Sequence, residues 1–410
     1  MDVVIAGAGP TGLWLAGELR LGGASVTVLE AREERDPNSK ALTIHPRTIE
    51  IFDCRGVVEP FLAEGIRIPN GHFGGLPDRL DFSALDTPYP FTLALPQART
   101  EELLEERARA LGATVLRGRR VVGLIGDGVA LADGSRVTAR YVVGCDGTRS
   151  TVREAAGIDF PGTDATTWGW LGDVVLDAPP AGGFASVAGE RGGLMVVPLP
   201  GGLHRIVGGD PGSNVAAWPG ELTLDELRVT VKAIAGTDFG MRDPKWLSRF
   251  GNATRQAVAY RSGAVLLAGD AAHMHFPTGG VGMNAGIQDA HNLGWKLAAV
   301  VTGRAGESLL DTYHDERHPV GAALLEHTRA QTALITGYSE EVRALRSVIS
   351  GLIAAAPDMS RILAERLAGL DVDHGTGRRV ADHDSVFARL RSGEHVETEA
   401  GLVRPDGHLA

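Results

Sequence analysis

Positive charge is scarce in this sequence. It carries 40 Lys and Arg against 51 Asp and Glu, a formal net charge of -11 over 410 residues. That balance favours solubility and excludes nucleic acid or an anionic membrane surface as an expected partner. Cysteine is rarer still. Cys54 and Cys145 are the only two, too few for a disulfide framework or a cysteine metal site. They read as small core residues, with a reducing cytoplasm as the expected location. Long apolar runs are also missing, so no stretch reads as a membrane span. The amino terminus is apolar but lacks the basic start and cleavage site of a signal peptide. What remains is an ordinary globular composition, 43% hydrophobic and 22% charged, long enough for two domains with sizeable cores.

Within it, Ala264 to Leu297 stands out: AVLLAGDAAHMHFPTGGVGMNAGIQDAHNLGWKL. Val265 to Leu267 reads as a short buried strand. Asp270 follows at the strand end, where a carboxylate can reach a ligand hydroxyl. Gly279, Gly280 and Gly282 let a backbone approach a large flat group. Met283, Ile287, Ala290, Leu293 and Leu297 then recur at helical spacing. The start of that helix, with unpaired N–H groups and partial positive charge, suits an anion.

The amino-terminal end suggests which one. Asp2 to Ala6 is a strand, Gly7-Ala8-Gly9-Pro10-Thr11-Gly12 a glycine turn, Leu13 to Leu21 a helix and Ser25 to Leu29 a second strand ending in Glu30. Gly7 makes the turn, Gly9 admits a pyrophosphate, and Gly12 lets helix and strand pack closely. Glu30 stands where an acid accepts ribose hydroxyls, which suits FAD or NAD better than NADP.

Further along, Lys40 and Arg47 are candidates for phosphate or flavin, and a helix is expected from about Pro46. Gln97 falls in a loop before a helix over Glu101 to Ala110, with Thr100 as its cap. Residues Thr114 to Ala139 read as a four-stranded meander with Asp-Gly turns, and Tyr141 to Gly144 as a buried strand running into Cys145-Asp146-Gly147. Strands at Trp168–Val175, Ala185–Ala188, Gly193–Pro198, His204–Val207, Trp246–Phe250 and Arg255–Ala259, with a helix at Leu224–Ala235, predict a separate antiparallel layer. Residues 308–335 and 342–370 read as helical.

Three motifs in order, GAGPTG, CDGTRSTVR and GDAAHMHFPTGGVGMN with DAHNLGWKLA, resemble the group A flavoprotein monooxygenases. These are FAD-dependent aromatic hydroxylases with the p-hydroxybenzoate hydroxylase fold. The match is nearest to aromatic polyketide hydroxylases and rifamycin monooxygenases. The resemblance implies an α/β fold. A Rossmann-like FAD-binding domain (1–70, 95–165, 255–335) is interleaved with a mostly antiparallel-sheet substrate domain (71–94, 166–254). A helical segment (336–370) and a shortened thioredoxin-like remnant (371–410) follow. It also implies a C4a-hydroperoxide mechanism driven by NAD(P)H, with NADPH favoured, and a monomer or homodimer that hydroxylates a large aromatic molecule with O2.

By the same resemblance, Gly7, Gly9, Thr11, Gly12 and Glu30 hold the AMP half of FAD. Lys40 and Gln97 lie beside the flavin and its ribityl-pyrophosphate, and Asp270 binds the ribityl hydroxyls. Pro277, Gly280, Val281, Gly282, Met283 and Asn284 flank the isoalloxazine ring, while Asp146 and Gly147 belong to a motif touching FAD and NAD(P)H. Val281 replaces a frequent Gln, and Lys40 a frequent Arg. Trp168, Trp170, Phe184, Met195, Val197 and Phe276 are candidates to line the substrate. No catalytic acid or base is identified; His45, Arg205 and Arg255 are the candidates. Baeyer–Villiger insertion and a flavin-binding partner protein without turnover are the alternatives. No metal is expected.

Overall fold

The computed structural model of the chain describes residues 1–374, 377–381 and 385–410. Positions 375–376 and 382–384 of the expected tail lie outside the described residues. A six-stranded sheet organises the molecule, in the order Arg261–Ser262, Val265–Leu267, Tyr141–Gly144, Val3–Ala6, Val26–Leu29, Thr114–Leu116. All but the first of these run parallel. The strands Val3–Ala6, Val26–Leu29 and Tyr141–Gly144 are buried along their whole length, as a parallel sheet covered on both faces requires. Ala6 pairs with Leu29 and Gly144, and Gly144 with Leu267. Gly7, Glu30, Cys145 and Ala268 therefore all leave the sheet along one edge, the carboxyl edge outside which open α/β sheets bind ligands.

Helix Pro10–Leu21 begins with proline, suited to a position whose N–H has no partner inside the helix. It is buried from Gly12 to Leu19 because helix Gly282–Val301 lies against it. A Cβ at Gly294 would come within 2.5 Å of Glu18 Cβ, so the two helices meet at glycine. Glu18 is buried there with Arg55 at 2.7 Å and Arg107 at 2.7 Å. Burial alone would push its carboxyl up. The two guanidiniums outweigh burial and hold it well below the usual carboxylate range.

The second layer is an antiparallel sheet in the order Ala185–Gly189, Gly192–Pro198, Leu203–Gly209, Trp168–Leu176, Met241–Gly251. Leu194, Val196, Ile206, Trp170 and Val174 pack with Leu227 and Val231 of helix Leu224–Ala235. By the alternation of a strand, the opposite face carries Leu171, Asp173, Met195, Val197, Arg205 and Val207. Val197, Arg205, Asp173 and Trp246 form one row across it.

Four expectations change. Thr114–Leu116 extends the parallel sheet, leaving a meander of Val121–Ile125, Gly128–Leu131 and Arg136–Thr138. Thr254–Gln256 pairs with Gly162–Thr163 and His273–Met274 instead of joining the antiparallel layer. The helix expected after Thr100 starts at Gln97 with Pro96 before it, and Thr100 Oγ1 donates back to the Pro96 carbonyl at 3.4 Å. Glu340–Ala355 and Pro357–Ala368 are two helices bent by 102°, because Pro357 has no N–H with which to continue the first. Among the described residues, no single helix is long and apolar enough to cross a membrane.

The tail is fastened to the main layer. Arg47 donates to the Asp406 carbonyl at 2.6 Å, Arg55 to the Pro405 carbonyl at 3.0 Å, and Arg404 pairs with Glu316 at 2.7 Å. Several histidines in the core are neutral. Burial lowers His45, His72, His291 and His327 to about 4, against about 6.5 in an unfolded chain. The unfolded state therefore binds more protons between these values, and stability falls as pH drops from about 6.5 towards 4. The denaturant midpoint is expected to be lower at pH 5 than at pH 7.5, with net proton uptake on unfolding. A midpoint that rises towards pH 5 would contradict this.

Candidate functional site

The turn after the first strand needs its glycines. Gly7 has φ +103, and a Cβ there would lie 2.3 Å from the Cys145 carbonyl oxygen; at Gly12 it would lie 2.1 Å from that of Gly7. Gly9 differs: a Cβ there meets no protein atom within 4 Å. Open space thus lies before a helix start that no side chain caps, a place where N–H groups can receive a pyrophosphate. Glu30 accepts from the N–H of Ala8 at 2.9 Å and of Arg32 at 2.9 Å. Each carboxylate oxygen retains a lone pair for a hydroxyl. Thr11 joins the two halves of the edge, since a Cβ at Gly269 or Gly286 would come within 2.7 or 2.3 Å of its Oγ1.

Asp270 sits on the short turn Gly269–Ala271 and is exposed. Among the described residues its carboxylate makes no hydrogen bond or ion pair. The loop beyond it turns through Gly279 and Gly280, with φ +70 and +65, two successive left-handed residues that favour glycine. Helix Gly282–Val301 then starts without a side-chain cap, so the N–H groups of its first turn, from Gly282 to Asn284, stay available to an anionic edge. Pro277 is exposed and Met283 half-buried at this mouth.

Several expected site residues hold the loop from behind. Asn284 accepts from the His45 N–H at 2.8 Å and donates to the carbonyls of Gly280 at 2.9 Å and Thr43 at 3.1 Å. His45 lies 2.8 Å by Nε2 from the Gly279 carbonyl and 3.3 Å by Nδ1 from Thr92 Oγ1. The carbonyl can only accept, so Nε2 carries the proton. With both nitrogens engaged and its pKa lowered, His45 is a fastener of the loop and not an accessible base. The Val281 side chain points into the apolar cluster of Phe73, Phe82 and Leu367, leaving its backbone at the mouth. Gln97 fastens the Lys40 loop, accepting from the Ala41 N–H at 3.0 Å and donating to Glu101 at 2.8 Å. Lys40 is exposed. Arg47 is buried against Glu50 at 2.8 Å and does not reach the mouth.

The other candidates fall in several different surroundings. Arg205 is buried in a two-pronged pair with Asp173, 2.7 Å on each arm, and its guanidinium lies 5.3 Å from the Trp246 ring. Arg255 pairs with Asp164 and donates to the Phe160 carbonyl at 3.0 Å. Trp170 lies in the core under helix Leu224–Ala235, donating to Asp210 at 3.0 Å, on the face away from Met195 and Val197. Phe184 is exposed. Met195 and Val197 are half-buried on the Arg205 face, and Phe276 packs on Phe250 at 5.1 Å.

Trp168 belongs to a cleft of about 400 Å³ lined by Thr148, Arg149, Arg153, Phe160, Arg255 and Met274 among others. Arg153 lies over the Phe160 ring at 3.8 Å. Asp146, beside it, is spent on structure: its carboxylate accepts from Ser150 Oγ at 2.5 Å and from the Val152 N–H at 3.2 Å. The sequence reading passed over His275 and Asp289. His275 Nδ1 is 2.6 Å from the Phe276 carbonyl, and Nε2 lies 3.3 Å from where a Gly282 Cβ would stand. The signal for it was a second His two residues after His273 in the same motif.

The FAD binding domain family matches residues 1–328. This chain belongs to that family. It is 48% identical over 397 residues to the uncharacterized aromatic compound monooxygenase YhjG of Bacillus subtilis, covering 95% of this chain and 79% of that protein. Rifampicin monooxygenase of Streptomyces venezuelae is 43% identical, covering 100% of this chain and 94% of the relative. That alignment spans 465 positions against the 410 residues here, so the relative carries residues that this chain lacks. The structure of the OxyS anhydrotetracycline hydroxylase from Streptomyces rimosus superposes with TM-score 0.88 at 39% identity, covering 100% of this chain and 94% of that one. The protein is an FAD-dependent monooxygenase. Its residues fit the cofactor: open space at Gly9, an unengaged Asp270, an uncapped helix at Gly282 and Glu30 at the far end all lie along one edge.

Proposed function

We propose that this monooxygenase uses NAD(P)H, with NADPH favoured, and O2 to hydroxylate a large aromatic, polyketide-type molecule in secondary-metabolite biosynthesis or antibiotic modification. The observation that carries the reading is a set of apolar side chains on one face of the antiparallel sheet, which the Phe250–Phe276 contact at 5.1 Å joins to the glycine loop. Leu171, Met195, Val197, Val207 and Phe250 share that face around the Asp173–Arg205 pair, and Phe276 of the loop packs on Phe250. A flat hydrophobic ring system is the ligand such a surface suits. FAD, when bound, supplies the oxygen-transfer chemistry.

The chain's own part is to bind, orient and exclude water. Gly7, Gly9, Gly12 and Glu30 would hold the nucleotide end, and Asp270 would accept from ribityl hydroxyls. The N–H groups of Gly282 to Asn284 would stabilise negative charge at the flavin's edge. Exposed Arg149 in the cleft beside Trp168 offers a cation for the phosphates of a nicotinamide dinucleotide. We also assign the tail, 371–410, with its paired strands Val396–Thr398 and Gly401–Val403, as the shortened counterpart of a thioredoxin-like domain.

The test is steady-state oxidation of NADPH and NADH by the yellow holoprotein, with rifampicin and anhydrotetracycline as aromatic probes. Substrate-stimulated NADPH consumption with a hydroxylated product is expected. A ring-expanded lactone would favour Baeyer–Villiger insertion. Flavin binding without turnover of any aromatic polyketide would favour the partner-protein reading.

A further inference from the structure

We propose that Asp289 is a positioning residue for the flavin site: its carboxylate fixes the Gly269–Ala271 turn so that Asp270 faces the cofactor. The inference rests on the role of Asp270 proposed above. Asp289 is 1% exposed, on the inner side of helix Gly282–Val301. Its Oδ2 accepts from the Gly269 N–H at 3.1 Å and lies 2.7 Å from His273 Nε2, and its Oδ1 accepts from Arg317 Nε at 2.8 Å. Three donors, two from the stretch 269–274 and one from helix Asp311–Thr336, thus converge on one buried carboxylate.

The geometry gives this convergence a purpose. Gly269 has φ +63, so the chain reverses just before Asp270, and its N–H points inward to Asp289. Asp270, the next residue, consequently points outward. Thr11 closes the turn from one side, and Tyr313 from the other, its hydroxyl donating to the Leu267 carbonyl at 2.7 Å. Burial pushes the Asp289 carboxyl up, but Arg317 and His273 outweigh it and the group stays ionised. An ionised acceptor holds the Gly269 N–H more strongly than a neutral one. Asp289 touches neither Asp270 nor the open edge. It acts through the backbone of one turn.

The experiment is a double-mutant cycle on FAD affinity, with Asp289→Asn, Asp270→Ala and the pair, each prepared as apoprotein and titrated with FAD by flavin fluorescence. Asp289→Asn is expected to weaken FAD by roughly tenfold or more, the scale of a lost charged hydrogen bond. The double variant is then expected to bind no more weakly than Asp270→Ala alone, because residues acting as a unit are not additive. If the Asn variant does not fold, Asp289→Glu, which keeps the charge but displaces it by one methylene, goes through the same cycle with the same expectation. Unchanged affinity at Asp289, or losses that add in the pair, would overturn the proposal and leave the role of Asp270 standing. Unchanged affinity in Asp270→Ala alone would overturn both.

Discussion

Asp270→Ala is expected to yield a folded protein that loses FAD on desalting. The carboxylate is exposed and has no hydrogen bond or ion pair among the described residues, so its removal leaves no buried group unpaired. Changes of that kind usually stay within about 0.5 kcal/mol of stability. The ligand loses far more. A hydrogen bond to a charged acceptor contributes about 1.5–3 kcal/mol, which corresponds to roughly a 10- to 150-fold rise in Kd. Flavin titration alongside thermal melting separates the two quantities. A melt shifted by many degrees with unchanged flavin affinity would mean that Asp270 supports the fold and not the cofactor.

Arg205→Ala is expected to have the opposite signature. The pair with Asp173 is buried on both sides, with side-chain exposures of 3% and 8%. Removing one partner strands a carboxylate, at a cost of about 3–5 kcal/mol. Arg205→Lys is expected to recover only part of this, because an ammonium cannot reproduce the two-pronged fork. The Asp173→Ala, Arg205→Ala double variant is expected to be more stable than Arg205→Ala alone. Urea unfolding measures all three. A loss below about 1 kcal/mol in the single variant would match an exposed pair and contradict this account of the sheet.

How much of this was legible in the sequence depends on the range of each signal. Val3–Ala6, Pro10–Leu21 and Val26–Leu29 were readable within a residue or two at most boundaries, because glycines and apolar runs act locally. The same holds for Val265–Leu267 and the helix beyond Gly282. Thr114–Leu116 was misplaced because its parallel partner, Val26–Leu29, is remote in the chain, while the Asp-Gly turns beside it are local. The outer-sheet face assignment failed at Trp170 for another reason. Strand alternation says which residues share a face but not which face meets the helix. Asn284, His45 and Gln97 stand out in the sequence by type, yet their partners, Gly280, Gly279 and Ala41, come from tertiary contact. Asp289 sits inside a motif dominated by glycines and apolar residues. A lone acid on a buried helix face was the available clue.

The measurement that bears most directly on the account is the origin of the oxygen atom in the product. The holoprotein would be turned over with NADPH and an aromatic polyketide under ¹⁸O2, and separately in H2¹⁸O under ordinary oxygen, with the product weighed by mass spectrometry. A monooxygenase places one labelled atom from ¹⁸O2 in the product and none from water. A product carrying its new oxygen from water, or a converted product with no new oxygen, would contradict it.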